Sequence, residues 1–238
     1  MLKYRNVVLI VVLVLIVDQA LKFWVKTNMA ITEQFTIFPD WFHIHFIENE
    51  GMAYGLQFGG EFGKIFLTLF RLIAVVVGFV FMRKLVRENY HKGLLICGSL
   101  ILAGAAGNLI DSMFYGLIFS ESTPYEVAQF LPAGGGYGTF LHGKVVDMLY
   151  FPLYEGYLPK WVPIWGGEYF IFFRPVFNIA DAAISIGVIS ILVFQRRFLH
   201  AHMEQKKQTL KANQDEAIVS SGDQDHASGE HDSQQETL

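Results

Sequence analysis

GLLICGSLILAGAAGNLIDSMFY, residues 93–115, carries no charge until Asp111, near its end. A helix crosses the hydrocarbon core of a bilayer with roughly 20 apolar residues, and this run has that length. An aspartate kept inside such a span costs at least about 2.5 kcal/mol on insertion scales, so its presence points to a task other than packing. Two further runs, 62–82 and 176–195, match the same length. A fourth, 7–25, is less clean: it is unbroken only over 7–17 and is followed by Asp18, Gln19 and Lys22. A basic start and a short apolar run also describe a cleaved signal peptide. No small-x-small pattern follows directly, however, and apolar character resumes at Phe23, Trp24 and Val25, which favours a helix.

The composition agrees with lipid as part of the solvent. Hydrophobic residues make up 53% of the 238 and charged residues 17%, against roughly 25% charged in ordinary globular domains. The net charge of −4 comes from the tail, where residues 212–238 hold seven carboxylates and no Lys or Arg. The remainder is slightly basic, with no stripe that would suit nucleic acid. A single cysteine, Cys97, excludes an internal disulfide and a cysteine zinc site, and it reads as packing.

Lys and Arg placement gives the direction of each span. Lys3 and Arg5 precede the first helix, Arg83, Lys84, Arg87 and Lys92 crowd the second connection, and Arg196, Arg197, Lys206, Lys207 and Lys211 follow the fourth helix. The long connections hold only Lys26, Lys144, Lys160 and Arg174, with Lys64 at a helix edge. Both termini are therefore expected in the cytoplasm and both long connections outside. The expected fold is an all-α polytopic membrane protein with four transmembrane helices, a small β-rich extracytoplasmic region and inserted outer loops. Its segments are an N-terminal segment with the first helix (1–25), a β-rich outer segment (26–61), the second helix (62–82), an inner loop (83–92), the third helix (93–115), an outer loop carrying Asp147 (116–175), the fourth helix (176–195) and a polar, largely disordered tail (196–238). Aromatic segments 150–165 and 169–173 suit the outer interfacial belt. Ser99, Ala103 and Gly107, and likewise Ala183 and Gly187, recur at four-residue spacing that lets membrane helices approach closely.

On this topology four carboxylates reach one depth. Asp18 and Asp111 sit near the outer ends of outward-running helices, Asp181 lies one or two turns into an inward-running one, and Asp147 belongs to the outer connection. Asn108 and Asp111, and Asn178 and Asp181, stand three apart and share a helix face, where an amide can donate to the neighbouring acid. Asp18 and Lys22, four apart, can pair. Two carboxylates held close share one proton. The ionised member then takes a proton from water while the protonated one polarises a peptide carbonyl. Serine chemistry lacks a Gly-x-Ser-x-Gly elbow. Zinc lacks a His-Glu-x-x-His helix, and His43, His45 and His142 read as surface residues.

At these residues the chain resembles lipoprotein signal peptidase, also called signal peptidase II. The matching pieces are VDQALK at 17–22, ENEGMAYG at 48–55, GNLIDS at 107–112, VVDM at 145–148 and FNIAD at 177–181. The resemblance implies cleavage of diacylglyceryl-modified prolipoproteins before the lipidated cysteine, at the outer leaflet of the bacterial inner membrane. Asp147 and Asp181 would be the catalytic pair, with Asp18, Lys22, Asn49, Gly51, Asn108, Asp111, Asn178 and Ala180 supporting the site. It implies no cofactor, no metal and inhibition by the cyclic peptide globomycin. This chain departs from the pattern at Ser112, where the family usually has Arg, and in apparent insertions over 120–143 and 151–175. Two rival readings are a transporter, which calls for midplane acids and internal repeats, and a scaffold in which the acids only hold helices together.

Overall fold

The computed structural model describes residues 2–39, 41–50, 60–172 and 174–195, together with Glu204 and Gln208. Gly51 and almost all of the tail lie outside the described residues. The chain divides into two compact units, Met1–Ile191 and Leu192–Leu238, and every element that builds the site belongs to the first. Its elements in chain order are α1 (Tyr4–Asn28), β1 (Gln34–Phe38), β2 (Phe42–Asn49), α2 (Gly60–Arg87), α3 (Lys92–Ile110), α4 (Gly116–Ile118), β3 (Val145–Tyr150), β4 (Tyr154–Tyr157), β5 (Tyr169–Phe172), β6 (Val176–Phe177) and α5 (Ile179–Ser190).

Three helical runs, Tyr4–Asn28, Phe62–Arg87 and Lys92–Ile118, are long and apolar enough to cross a membrane, and a shorter apolar one covers Ile179–Gln195. Val7, Val11, Val75, Leu95 and Leu102 meet between α1, α2 and α3. Leu13 and Ile16 on α1, Phe66 and Phe70 on α2, and Ile186 and Ile189 on α5 stay exposed. Apolar stripes of this extent would be a liability in water and suit lipid. The small residues act where the sequence places them: a Cβ at Gly107 would stand 2.8 Å from an Asp18 oxygen, and one at Gly187 2.7 Å from the Cys97 carbonyl. Gly104, outside that stripe, is tighter still, 2.1 Å from the Ala180 carbonyl.

Several boundaries differ from the sequence reading. α1 extends to Asn28, so Lys26 belongs to its last turn. α3 gives way at Asp111 to a π-turn over Asp111–Tyr115 before α4. The fourth helix begins at Ile179 instead of 176, because Val176–Phe177 pairs as β6 and Asn178 is extended and caps the helix through its side chain. Asp181 consequently sits in the first turn.

The outer sheet has the order β1-β2-β3-β6, antiparallel throughout. β3 lies between β2, in register Ile47↔Asp147 and Asn49↔Val145, and β6, in register Leu149↔Phe177. All but the last residue of β3 are buried, as expected for a strand with both faces covered. β4 and β5 form a separate hairpin between β3 and β6.

Candidate active site

The strand order sets an asparagine on either side of Asp147. Asn49, at the end of β2, donates to Asp147 Oδ2 at 3.3 Å, and Asn178, immediately after β6, donates to Oδ1 at 2.7 Å. Asn178 also caps α5: its Oδ1 accepts the Asp181 backbone N–H at 2.9 Å. Its amide therefore points away from the Asp181 carboxylate, and it donates to Asn108 Oδ1 at 3.1 Å and the Val146 carbonyl at 3.2 Å as well. Asn108 in turn donates to Asp181 Oδ1 at 2.7 Å. The asparagines therefore do not serve the acids three residues along their own helices, as the spacing suggested. Each reaches an acid on another element, because the capping geometry turns Asn178 toward β3 and the packing of α3 on α5 turns Asn108 toward Asp181.

Beneath this chain lies a buried charge cluster. Lys22 Nζ stands 3.0 Å from Asp18 Oδ2 and 2.8 Å from Asp111 Oδ2, with all three side chains inaccessible. It also donates to Asn108 Oδ1 at 2.9 Å. Asp18 accepts the Ala180 backbone N–H at 2.9 Å, placing a carboxylate at the N-terminus of α5, where the helix dipole favours it. Asp111 accepts the Val146 N–H at 3.3 Å and so fixes the residue before Asp147. Removing one partner of such a buried pair costs about 3–5 kcal/mol.

Four neighbours escaped the sequence reading. Gln19 donates to Asp111 Oδ1 at 2.7 Å and to Asp18 Oδ2 at 3.2 Å, and Tyr115 donates to Gln19 Oε1 at 3.2 Å. The Arg71 guanidinium of α2 donates to Ser112 Oγ at 3.3 Å. Gln19 was legible only as part of VDQALK, and an isolated Arg71 in an apolar run gives no periodic signal. The fourth is Lys26, fully buried and ion-paired with Glu48, one residue from Asn49. Ser122, from the inserted segment, accepts from Lys26 at 2.9 Å and donates to Glu48 Oε1 at 2.8 Å. The Tyr137 and Phe119 rings lie 5.0 and 5.4 Å from the Lys26 ammonium. The insertion is thereby tied to the strand that carries Asn49.

Of the histidines, His43 meets Thr36 Oγ1 at 3.1 Å and His142 meets Thr139 Oγ1 at 2.8 Å, both exposed contacts. All three rings are half-buried instead of fully on the surface, and His45 on β2 lies 6.0 Å from the Tyr150 ring.

Burial, and after it the negative charge of Asp181, pushes the Asp147 carboxyl up to about 7; Asn49, Lys22 and Asn178 pull the other way. Near neutral pH this group exchanges a proton beside a second carboxylate.

The family model described as signal peptidase (SPase) II matches residues 10–197, most of the chain and all of these side chains. The chain belongs to the signal peptidase II family. It is 51% identical to the lipoprotein signal peptidase of Porphyromonas gingivalis (strain ATCC 33277) over 85% of this chain and 88% of that protein. It is 39% identical to the lipoprotein signal peptidase of Amoebophilus asiaticus (strain 5a2), over 84% and 81%. Among solved structures, a bacterial membrane enzyme determined by the in meso method at 2.3 Å resolution superposes with a TM-score of 0.50 at 27% identity, covering 81% of this chain and 88% of that one. Membership makes the chain a bacterial membrane peptidase.

Proposed function

We propose that this peptidase removes signal peptides from diacylglyceryl-modified prolipoproteins, cutting before the lipidated cysteine with Asp147 and Asp181 as an acid pair. The observation that carries the reading is the unbroken set of hydrogen bonds from Asp147 through Asn178 and Asn108 to Asp181. It links a strand acid to a helix acid, and one proton on the pair leaves the other carboxylate ionised. The ionised member takes a proton from water as the water attacks the scissile carbonyl. The protonated member donates to the carbonyl oxygen. Collapse of the tetrahedral intermediate then returns a proton to the leaving amine. Asp18, Lys22, Asp111, Asn49, Asn108, Asn178 and Ala180 hold this geometry, and Gly51 is assigned to the site by its place in the ENEG motif.

In this reading four helices span the bacterial inner membrane, both termini are cytoplasmic, and the pair lies at the outer leaflet, where lipid and the diacylglyceryl anchor meet it. Globomycin would compete with the substrate. The test is processing of a diacylglyceryl-modified prolipoprotein by reconstituted protein. Asp147→Asn and Asp181→Asn each keep side-chain shape and are expected to lose about 10²–10⁴-fold in kcat, the range of general acid–base catalysis. Folded variants that cut at the parent rate would exclude the pair and leave the acids a structural role. Activity lost to a chelator would point to metal-dependent chemistry instead.

A further inference from the structure

Arg71 is a charge about three turns into α2, in an apolar helix whose neighbouring Phe70 and Ile73 are exposed. It lies on the inward side, shared with buried Thr68 and Val75. Its contact with Ser112 Oγ continues into the site, since Ser112 donates to the Asn108 carbonyl at 2.9 Å and Asn108 donates to Asp181.

The charge balance gives this placement a consequence. Facing the site are Asp18 and Lys22 from α1, Asp111 from α3, Asp147 from β3 and Asp181 from α5, while Lys64 on α2 is paired with Glu50. Lys22 answers two carboxylates. With one proton on the Asp147–Asp181 pair, negative groups outnumber positive ones by two until Arg71 is counted. A low-dielectric site does not hold such an excess easily.

We propose that Arg71, reaching from α2 to Ser112, is a positioning residue that supplies the fixed positive charge by which the Asp147–Asp181 pair keeps one carboxylate ionised. This rests on the acid-pair reading above. A guanidinium fits the task because it stays charged wherever it is placed.

The experiment measures kcat and KM on a diacylglyceryl prolipopeptide in vesicles between about pH 4 and 8, so that the limb below neutrality is covered as well as the alkaline fall expected from Asp147. A shift of about one unit in the acid limb is a tenfold change in the ionised fraction. Arg71→Gln should therefore lose about tenfold in kcat at the acid end, with KM nearly unchanged and the loss shrinking toward pH 8. Arg71→Lys should keep the parent profile. In an Arg71→Ser background, Ser112→Arg should restore activity, because the new side chain starts from the position that Arg71 now reaches. A parent-like profile for Arg71→Gln overturns the proposal. So does a loss that is uniform across pH and not recovered by relocating the arginine. If Arg71→Gln does not fold, the lysine variant and the relocated pair decide. Asp147→Asn is run alongside: if it still cuts, the acid pair falls first, and if it is silent while Arg71→Gln is parental, Arg71 alone is excluded.

Discussion

Asp147 is 4% exposed, and its carboxyl protonates at about 7 instead of 3.8, chiefly through burial and then through Asp181. Activity and stability both fall with rising pH, but in different windows. For activity, the proposed acid pair works with one proton, so kcat is expected to fall by about tenfold per unit as pH rises beyond that value, read from a pH–rate profile. For stability, the folded value lies above the unfolded one, so the folded state binds more protons between about pH 4 and 7. Stability therefore declines as pH rises through that window and levels off above it. Asp147→Asn should remove this slope: its melting temperature relative to the parent should rise from pH 5 to pH 8, and a flat difference would show that Asp147 is solvated. At this scale the sequence was partly legible. Asp18 with Lys22 could be read from helical spacing, and so could the placing of Asn108 and Asn178 beside carboxylates. Which acid each asparagine serves could not, because a capping rotamer and an interhelical contact decide it.

Among the elements, α3 and α5 set the spacing of the pair, and one position shows how. A Cβ at Gly104 would meet the Ala180 carbonyl at 2.1 Å and Ile184 Cγ1 at 2.7 Å. Backbone cannot yield as a flexible side chain does, so Gly104→Ala must push α5 away from α3. The cost is expected at about 1–3 kcal/mol, the usual range for overpacking, and processing should slow because Asp181 follows Ala180. Gly134→Ala is the control: nothing lies within 4 Å of its Cβ, and both melting temperature and rate should stay at parent values. Equal behaviour of the two would mean that the helices are not in tight contact. The apolar runs were readable because lipid demands length and hydrophobicity and little else. The start of α5 was not, since Val176 and Phe177 are apolar in a strand as well as in a helix, and only the capping by Asn178 separates them. Nor was the packing of the insertion, where Gly143 lies against the Asp111 carbonyl and Gly136 against that of Gly116. Such close approaches between distant backbones leave no local pattern beyond a concentration of glycine.

For the molecule as a whole, the second insertion bears on how the sheet meets the membrane. The β4–β5 hairpin leaves β3 three residues beyond Tyr150 and returns through β6 to the Asn178 cap, so it is attached on both sides to the strands and cap that hold Asp147. Its turn exposes Trp161, Ile164 and Trp165 beside Lys160, and its strands expose Tyr157 and Tyr169. Tryptophan, tyrosine and lysine in this mixture partition to the headgroup region, with rings at the glycerol level and the ammonium in water. On the proposed topology the hairpin tip is expected to rest in the outer leaflet interface. The chain has four tryptophans, so replacing Trp24 and Trp41 with Phe leaves only the two at the tip. Their fluorescence in vesicles should be quenched by lipids brominated near the glycerol end of the acyl chain, and less by lipids brominated near the methyl end. Quenching by aqueous iodide alone would lift the hairpin off the membrane. In the interfacial case, Trp161→Ser with Trp165→Ser should slow processing while leaving the pH profile in place, because the change loosens the attachment of β3 and β6 without altering the charges around Asp147 and Asp181.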